Sequence, residues 1–217
     1  MDIKMKYYLY ISDTKVDMLY SQIDKSLLKK IAVELRIDLK PLGAGLGATI
    51  KQNQSEETRY SKLRLVVEYV EKHLNVGWVD APGTYFKGSL PMSWDLIHGD
   101  FGPKPYAVYF GGSTDRTIFG MVGSAHHLIG VRSDAPMSDI ILHYTPNDML
   151  NALANEVQPR SKQSFQATEI VLMANSLMEE PSQQLEFLAK TFLHKRDYSH
   201  ESRFVLLGSP IFIAFAN

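Results

Sequence analysis

Apolar positions recur at helical spacing through much of the first third of the chain, and beyond residue 76 they give way to short alternating or continuous runs. The opening segment Lys6-Tyr-Tyr-Leu-Tyr-Ile-Ser12 is rich in aromatic and β-branched residues and ends on Ser-Asp-Thr, which predicts a strand running into a turn. Asp13 or Thr14 caps a short helix reaching Ile23. Asp24 and Ser26 offer a second cap before Leu27, Leu28, Ile31 and Leu35, which lay one apolar stripe along a helix. Residues 37–42 alternate apolar and polar side chains and predict a second strand, broken by Gly43-Ala-Gly45-Leu-Gly47, and the polar stretch 51–57 reads as a loop. Leu63, Val66, Val67, Val70 and Leu74 then predict a helix over 56–74, stopped by Asn75 and Gly77.

After Val76, runs of Trp, Tyr, Phe and Val are punctuated by Gly, Pro and Asp, the pattern of successive short strands near 84–94, 106–113 and 116–129. The last two flank Ser113-Thr-Asp-Arg116 and predict an antiparallel hairpin. Both alternating faces of 106–111 are apolar, which places it centrally in a sheet covered on both sides. Thr145-Pro146-Asn147-Asp148 is a helix start, with Leu150, Leu153, Ala154 and Val157 as its buried stripe. Residues 169–178 and 183–194 read as two further helices separated at Pro181, the second with Leu185, Leu188, Ala189 and Phe192 on one face. Strands over 203–207 and 211–215 close the chain around Gly208-Ser209-Pro210. This order lacks the regular βαβ rhythm and predicts an α+β fold, with a largely antiparallel central sheet or partial β-barrel packed with helices. Gly-Ser recurs at 88, 112, 123 and 208, a dipeptide common in turns and read as coincidence.

The 217 residues, 45% hydrophobic and 22% charged, suit a single α+β domain over 1–217, two smaller ones being the alternative. Lys and Arg number 23 against 24 Asp and Glu, a formal charge of −1, which excludes a global field drawing the chain to nucleic acid or an anionic membrane. The clusters Lys25, Lys29, Lys30 and Lys190, Lys195, Arg196 read as solvated faces. With no cysteine there is no disulfide, thiolate metal site or cysteine nucleophile. Residues 1–6 lead directly into the short apolar run 7–11, and the longest apolar stretch, 204–216, is interrupted and too short to span a bilayer, so the expected location is the cytoplasm.

The densest candidate for chemistry is Gly111-Gly112-Ser113-Thr114-Asp115-Arg116, followed by Gly120, Gly123, Ser124, His126 and His127. Glycines within strands call for a bend, tight packing or a ligand against the backbone. Arg116 offers a guanidinium fork to phosphate or carboxylate, and Asp115 beside it suits a turn. In extended chain His126 and His127 point to opposite faces, so they do not share a metal. Ser124 and His126 then share a face, as nucleophile and base would, without an orienting acid or a nucleophile-elbow motif. Weaker candidates are the cluster Asp13, Lys15, Asp17, of which helix capping explains Asp13, and Asp95, His98, Asp100 in a loop. Gly43-x-Gly45-x-Gly47 lacks the spacing of a dinucleotide fingerprint and the lysine of a Walker loop. Met137, Met149, Met173 and Met178 read as core filling. No metal site is assigned and no cofactor follows from the residues.

Several of these segments taken together carry a family likeness. Residues 7–23, Tyr85-Phe-Lys-Gly-Ser-Leu-Pro-Met-Ser-Trp94, Tyr109-Phe-Gly-Gly-Ser-Thr-Asp-Arg-Thr117, Gly123-Ser-Ala-His-His-Leu-Ile-Gly130, Leu185-Glu-Phe-Leu-Ala-Lys190 and Leu207-Gly-Ser-Pro210 resemble an uncharacterised bacterial domain-of-unknown-function family, from Lys6 nearly to the C-terminus. The resemblance implies a cytoplasmic bacterial protein, associated in some members with conflict or stress systems, and brings no catalytic residues with it.

The residues therefore lead to a non-enzymatic small-ligand-binding or sensory module for a nucleotide or other anionic metabolite. Gly111, Gly112, Ser113, Asp115, Arg116, Gly123, Ser124 and His127 form its expected site. The alternatives are a histidine-dependent hydrolase working through Ser124, His126 or His127, and a homo-oligomeric interaction subunit.

Overall fold

The computed structural model describes residues 6–39, 52–97, 107–130, 153–154, 167–178, 181–196 and 203–216. They fall into two units, one of residues 13–76 and the other of residues up to 12 together with those from 77 onward. The first unit is helical: α1 (Asp13–Gln22), α2 (Lys25–Leu35) and α3 (Gln52–His73). Asp24 caps α2 by accepting from the Ser26 amide at 2.7 Å and the Leu27 amide at 3.4 Å. At the other end Arg36 adopts φ 55°, and the amides of Arg36 and Ile37 return to the carbonyls of Val33 and Ala32. Ile37 and Leu39 pack against Ile31, Ala32 and Leu65. The strand expected over 37–42 is thus absent at 37–39, where the alternation belongs to a helix-ending motif and its hydrophobic contact. Residues 40–42 lie outside the described set. Arg59 on α3 grips Asp13 through Nε at 2.6 Å and a second nitrogen at 2.9 Å, and Lys62 reaches Asp17 at 2.8 Å, so both acids of the N-terminal cluster tie α1 to α3.

The second unit is built on strands β1 (Tyr8–Ile11), β2 (Val76–Trp78), β3 (Tyr85–Ile97), β4 (Ala107–Ser113), β5 (Thr117–Ser124), β6 (Gln183–Arg196) and β7 (Phe204–Phe215). The expected hairpin is present, Ala107 pairing with Ser124 and Ser113 with Ile118. The long strand β3 pairs with β6 through Tyr85–Met92 and with β4 through Met92–Ile97. β5 runs parallel to β7, and β7 is antiparallel to β6, which closes β3, β4, β5, β7 and β6 into a five-stranded mixed barrel. β1 adds to β7 beyond the barrel seam, and β2 flanks β3.

Inward positions are filled mainly by Phe86, Met92, Phe110, Phe119, Met121, Leu185, Phe187, Leu206 and Ile213, with Tyr10 entering from β1. The rings meet edge-on or tilted: Phe86 and Phe187 at 5.7 Å between centroids, Tyr10 and Phe110 at 5.8 Å. The four Gly-Ser pairs acquire a common meaning here. A Cβ at Gly88 would stand 2.9 Å from the Phe187 ring and one at Gly112 2.9 Å from the Phe119 ring. At Gly123 it would meet Tyr10 and at Gly208 Phe86. Each of these glycines leaves room for an aromatic ring, so the recurrence is a packing rule of the barrel rather than a coincidence of turns.

The loop expected over 51–57 is instead the start of α3 from Gln52 on, and three further sequence expectations are corrected. Residues 183–194 form strand β6, not a helix: Leu185, Phe187 and Ala189 face the interior while the intervening Leu188 is also buried, so the period of two is lost. A register shift between Thr191 and Leu193 displaces the phase further, and what remains at 185, 188, 189 and 192 imitates a helical stripe. The two closing strands are a single strand β7 that runs through Gly208-Ser209-Pro210. There its neighbour changes from β5, last paired at Gly208, to β1, first paired at Phe212, so proline sits where the ladder is interrupted. Finally, β5 ends at Ser124 instead of reaching residue 129, and Ala125–His127 form a single 3-10 turn.

Helix α4 (Ala167–Leu177), foreseen over 169–178, lies on the outer face of the barrel. Its Ile170, Val171 and Ala174, with Leu153, pack on Tyr109, Ile118, Val122, Val205 and Leu207. Of the helix expected after Thr145, only Leu153 and Ala154 are described, both helical; Thr145, Leu150 and Val157 lie outside the described residues. No helix among the described residues is long and apolar enough to cross a membrane.

Candidate functional site

Where α4 runs out, the outer face of β3 and β4 is left partly open, and a cavity of about 450 Å³ forms there. Its floor is Gly111, Gly112 and Ser113 of β4, with Pro91 and Ser93 of β3 alongside and Ile118 of β5 behind. The end of α4 supplies Leu172, Asn175, Ser176 and Met178, and Ser182 and Arg203 stand just before β6 and β7. Among these described lining residues Arg203 is the one charged group.

Asn175 sets the position of the helix end. Its amide nitrogen donates to the Tyr109 hydroxyl at 2.8 Å, the Val171 carbonyl at 2.9 Å and the Phe119 carbonyl at 3.2 Å. Its Oδ1 lies against Gly111, in the space a Cβ would take, and the Tyr109 phenol occupies the corresponding space at Gly120, directly paired with Gly111. Burial holds the Tyr109 phenol far above its ordinary pKa, so it stays a neutral hydroxyl that accepts from Asn175. On the last turn of α4 the Ser176 hydroxyl donates to the Met173 carbonyl at 2.8 Å.

The structure divides the residues expected to form one site. Gly111, Gly112 and Ser113 line the cavity. Asp115 and Arg116 stand exposed on the adjacent turn, outside its lining. That turn is held by Thr114, whose hydroxyl donates to Asp80 at 2.5 Å and accepts from the Thr117 amide at 2.9 Å. Gly123, Ser124, His126 and His127 sit toward the other end of β5: Gly111 pairs with Gly120, so Gly123 and Ser124 lie three and four residues past the cavity floor, about 10–14 Å along extended chain, with the histidines beyond. The 3-10 turn removes the extended geometry that would have placed Ser124 and His126 on one face. Among the described residues the buried Ser124 hydroxyl has no hydrogen-bond partner and no base bonded to it, and the His127 ring packs edge-on to Tyr10 at 5.8 Å. Of the weaker acidic loop candidate, Asp95 accepts from the Leu96 amide at 2.7 Å, while His98 and Asp100 lie outside the described residues, as does Gly43-x-Gly45-x-Gly47. Lys25, Lys29, Lys30, Lys190, Lys195 and Arg196 are exposed, as solvated faces are.

Asn175, Ser176, Ser182, Arg203 and Ser93 were not singled out from the sequence. A signal existed for Asn175: it follows Val171 by one helical turn, on the stripe formed by Ile170, Val171, Ala174 and Met178, and a polar residue on a buried stripe demands partners. Arg203 gives no local signal, since it precedes a strand separated in sequence from both other walls.

A three-strand meander whose third strand lies parallel to the last, closed by the fourth strand onto the first, is the connectivity of OB-type five-stranded barrels, here with the outer face roofed by a helix and open at one end. The chain belongs to the family of unknown function DUF7019, whose family profile matches residues 6–217. Neither the curated proteins nor the solved structures offer a match.

Proposed function

We propose that the protein is a non-enzymatic binding module of the cytoplasm that holds a small anionic metabolite in the cavity between β4 and the end of α4. The observation that carries this reading is the lining itself: serine hydroxyls, one amide and one guanidinium, with no carboxylate among the described lining residues. Arg203 takes the role first expected of Arg116, because a guanidinium in a partly enclosed wall is less hydrated and less screened than one on an exposed turn. Gly112 and Ser113 bring backbone and hydroxyl to the floor. By fold analogy, OB-type barrels bind their ligands on the face of the second and third strands, here β4 and β5, and among the described residues α4 covers part of that face and the cavity lies at its turn end.

Native mass spectrometry of gently purified protein tests this. The expected result is a retained small anion, released from Arg203→Gln but kept by Arg116→Gln, with at least a tenfold loss of affinity for the first variant, the size expected for one charge-assisted hydrogen bond. Retention of the same mass by folded Arg203→Gln would contradict the assignment.

A further inference from the structure

We infer that the cavity selects a phosphorylated sugar or polyol over a nucleotide, a reading that rests on the binding function proposed above and names the ligand class of that site. The two sides of the cavity offer opposite hydrogen-bonding character. Arg203 presents only donors, which suit an anionic oxygen. The end of α4 presents acceptors. The amide hydrogens of Asn175 are spent on Tyr109, Val171 and Phe119, leaving Oδ1, and the hydroxyl hydrogen of Ser176 is spent on Met173, leaving its lone pairs. A helix C-terminus adds partial negative charge on the same side. A ligand satisfying both carries an anionic group at one end and hydroxyl donors at the other.

A base finds no matching surface. The apolar lining is aliphatic, Pro91, Ile118, Leu172 and Met178, and none of the described lining residues is aromatic. The neighbouring rings are committed elsewhere: Phe110 and Phe119 point into the barrel and Tyr109 is sealed under α4. Base recognition leans on stacking against aromatic faces, so a nucleobase gains little here.

Calorimetric titration of the full chain with ribose 5-phosphate, adenosine monophosphate and inorganic phosphate tests the inference, since the second is the first with adenine in place of the anomeric hydroxyl, one of the donors the α4 side would accept from. Ribose 5-phosphate is expected to bind at least tenfold more tightly than either of the others, and Ser176→Ala to weaken it severalfold while leaving inorganic phosphate unchanged. Adenosine monophosphate binding as tightly or more tightly would overturn the sugar selectivity and leave the anion site standing, as would inorganic phosphate matching the sugar. No binding by any of the three would overturn both readings.

Discussion

Gly208 and Thr117 test the barrel interior in opposite directions. A Cβ at Gly208 would run into the Phe86 ring, with the Lys190 carbonyl at 2.8 Å preventing retreat, so Gly208→Ala is expected to cost about 1–3 kcal/mol in urea unfolding. Phe86→Leu in the same chain should recover part of that loss, whereas additive losses would mean that the ring is not the obstacle. Thr117 is completely buried and its hydroxyl has no hydrogen-bond partner among the described residues. Thr117→Val should therefore stabilise the protein by about 1 kcal/mol, and destabilisation would show that the hydroxyl is satisfied in solution. The glycines were visible in the sequence, but their purpose was not. The ring that fills each gap comes from another strand, Phe187 for Gly88 and Phe86 for Gly208, and those pairings exist only once the barrel has closed.

Helix α4 is held by a stripe of apolar residues and one polar pin. Asn175→Ala removes the donor to Tyr109 and two carbonyls, so a loss of about 1–3 kcal/mol is expected. Faster amide exchange should be concentrated in 167–177, and a uniform change across the barrel would contradict a local pin. Tyr109→Phe should cost less, and the double variant should cost less than the sum. On β6, His194 stacks on Phe204 at 4.8 Å, and desolvation of the ring depresses its pKa below the ordinary imidazole value. The unfolded state then binds more protons, so the contribution of His194 is complete above about pH 6.5 and is lost as pH falls toward its lowered folded value. The effect is small for an exposed side chain, and His194→Phe should flatten the pH dependence of the unfolding midpoint in that window. Element type was legible wherever one face is buried and the other solvated, as in α2 and α3. It failed at β6, where the buried Leu188 on the outer face and register shifts broke the alternation, and at 37–39, where a helix cap imitated it.

At the scale of the whole molecule, the order of elements was enough to predict an α+β fold with a partial barrel, and the β4–β5 hairpin needed only its local turn. Barrel closure was not legible, because the parallel pairing of β5 with β7 and the return of β6 to β3 join segments that carry no mutual signal in the chain. The cavity was half legible for the same reason: Gly111, Gly112 and Ser113 are local, while Asn175 and Arg203 arrive from two other elements. The central claim is that the turn end of the barrel face, and not the histidine end of β5, is where the protein meets its ligand. Amide NMR titration with ribose 5-phosphate tests it most directly. The predicted result is saturable shifts at Gly111, Gly112, Ser113, Asn175, Ser176 and Arg203 with Gly123, Ser124, His126 and His127 unmoved; saturable shifts centred on Ser124 and the histidines would contradict it.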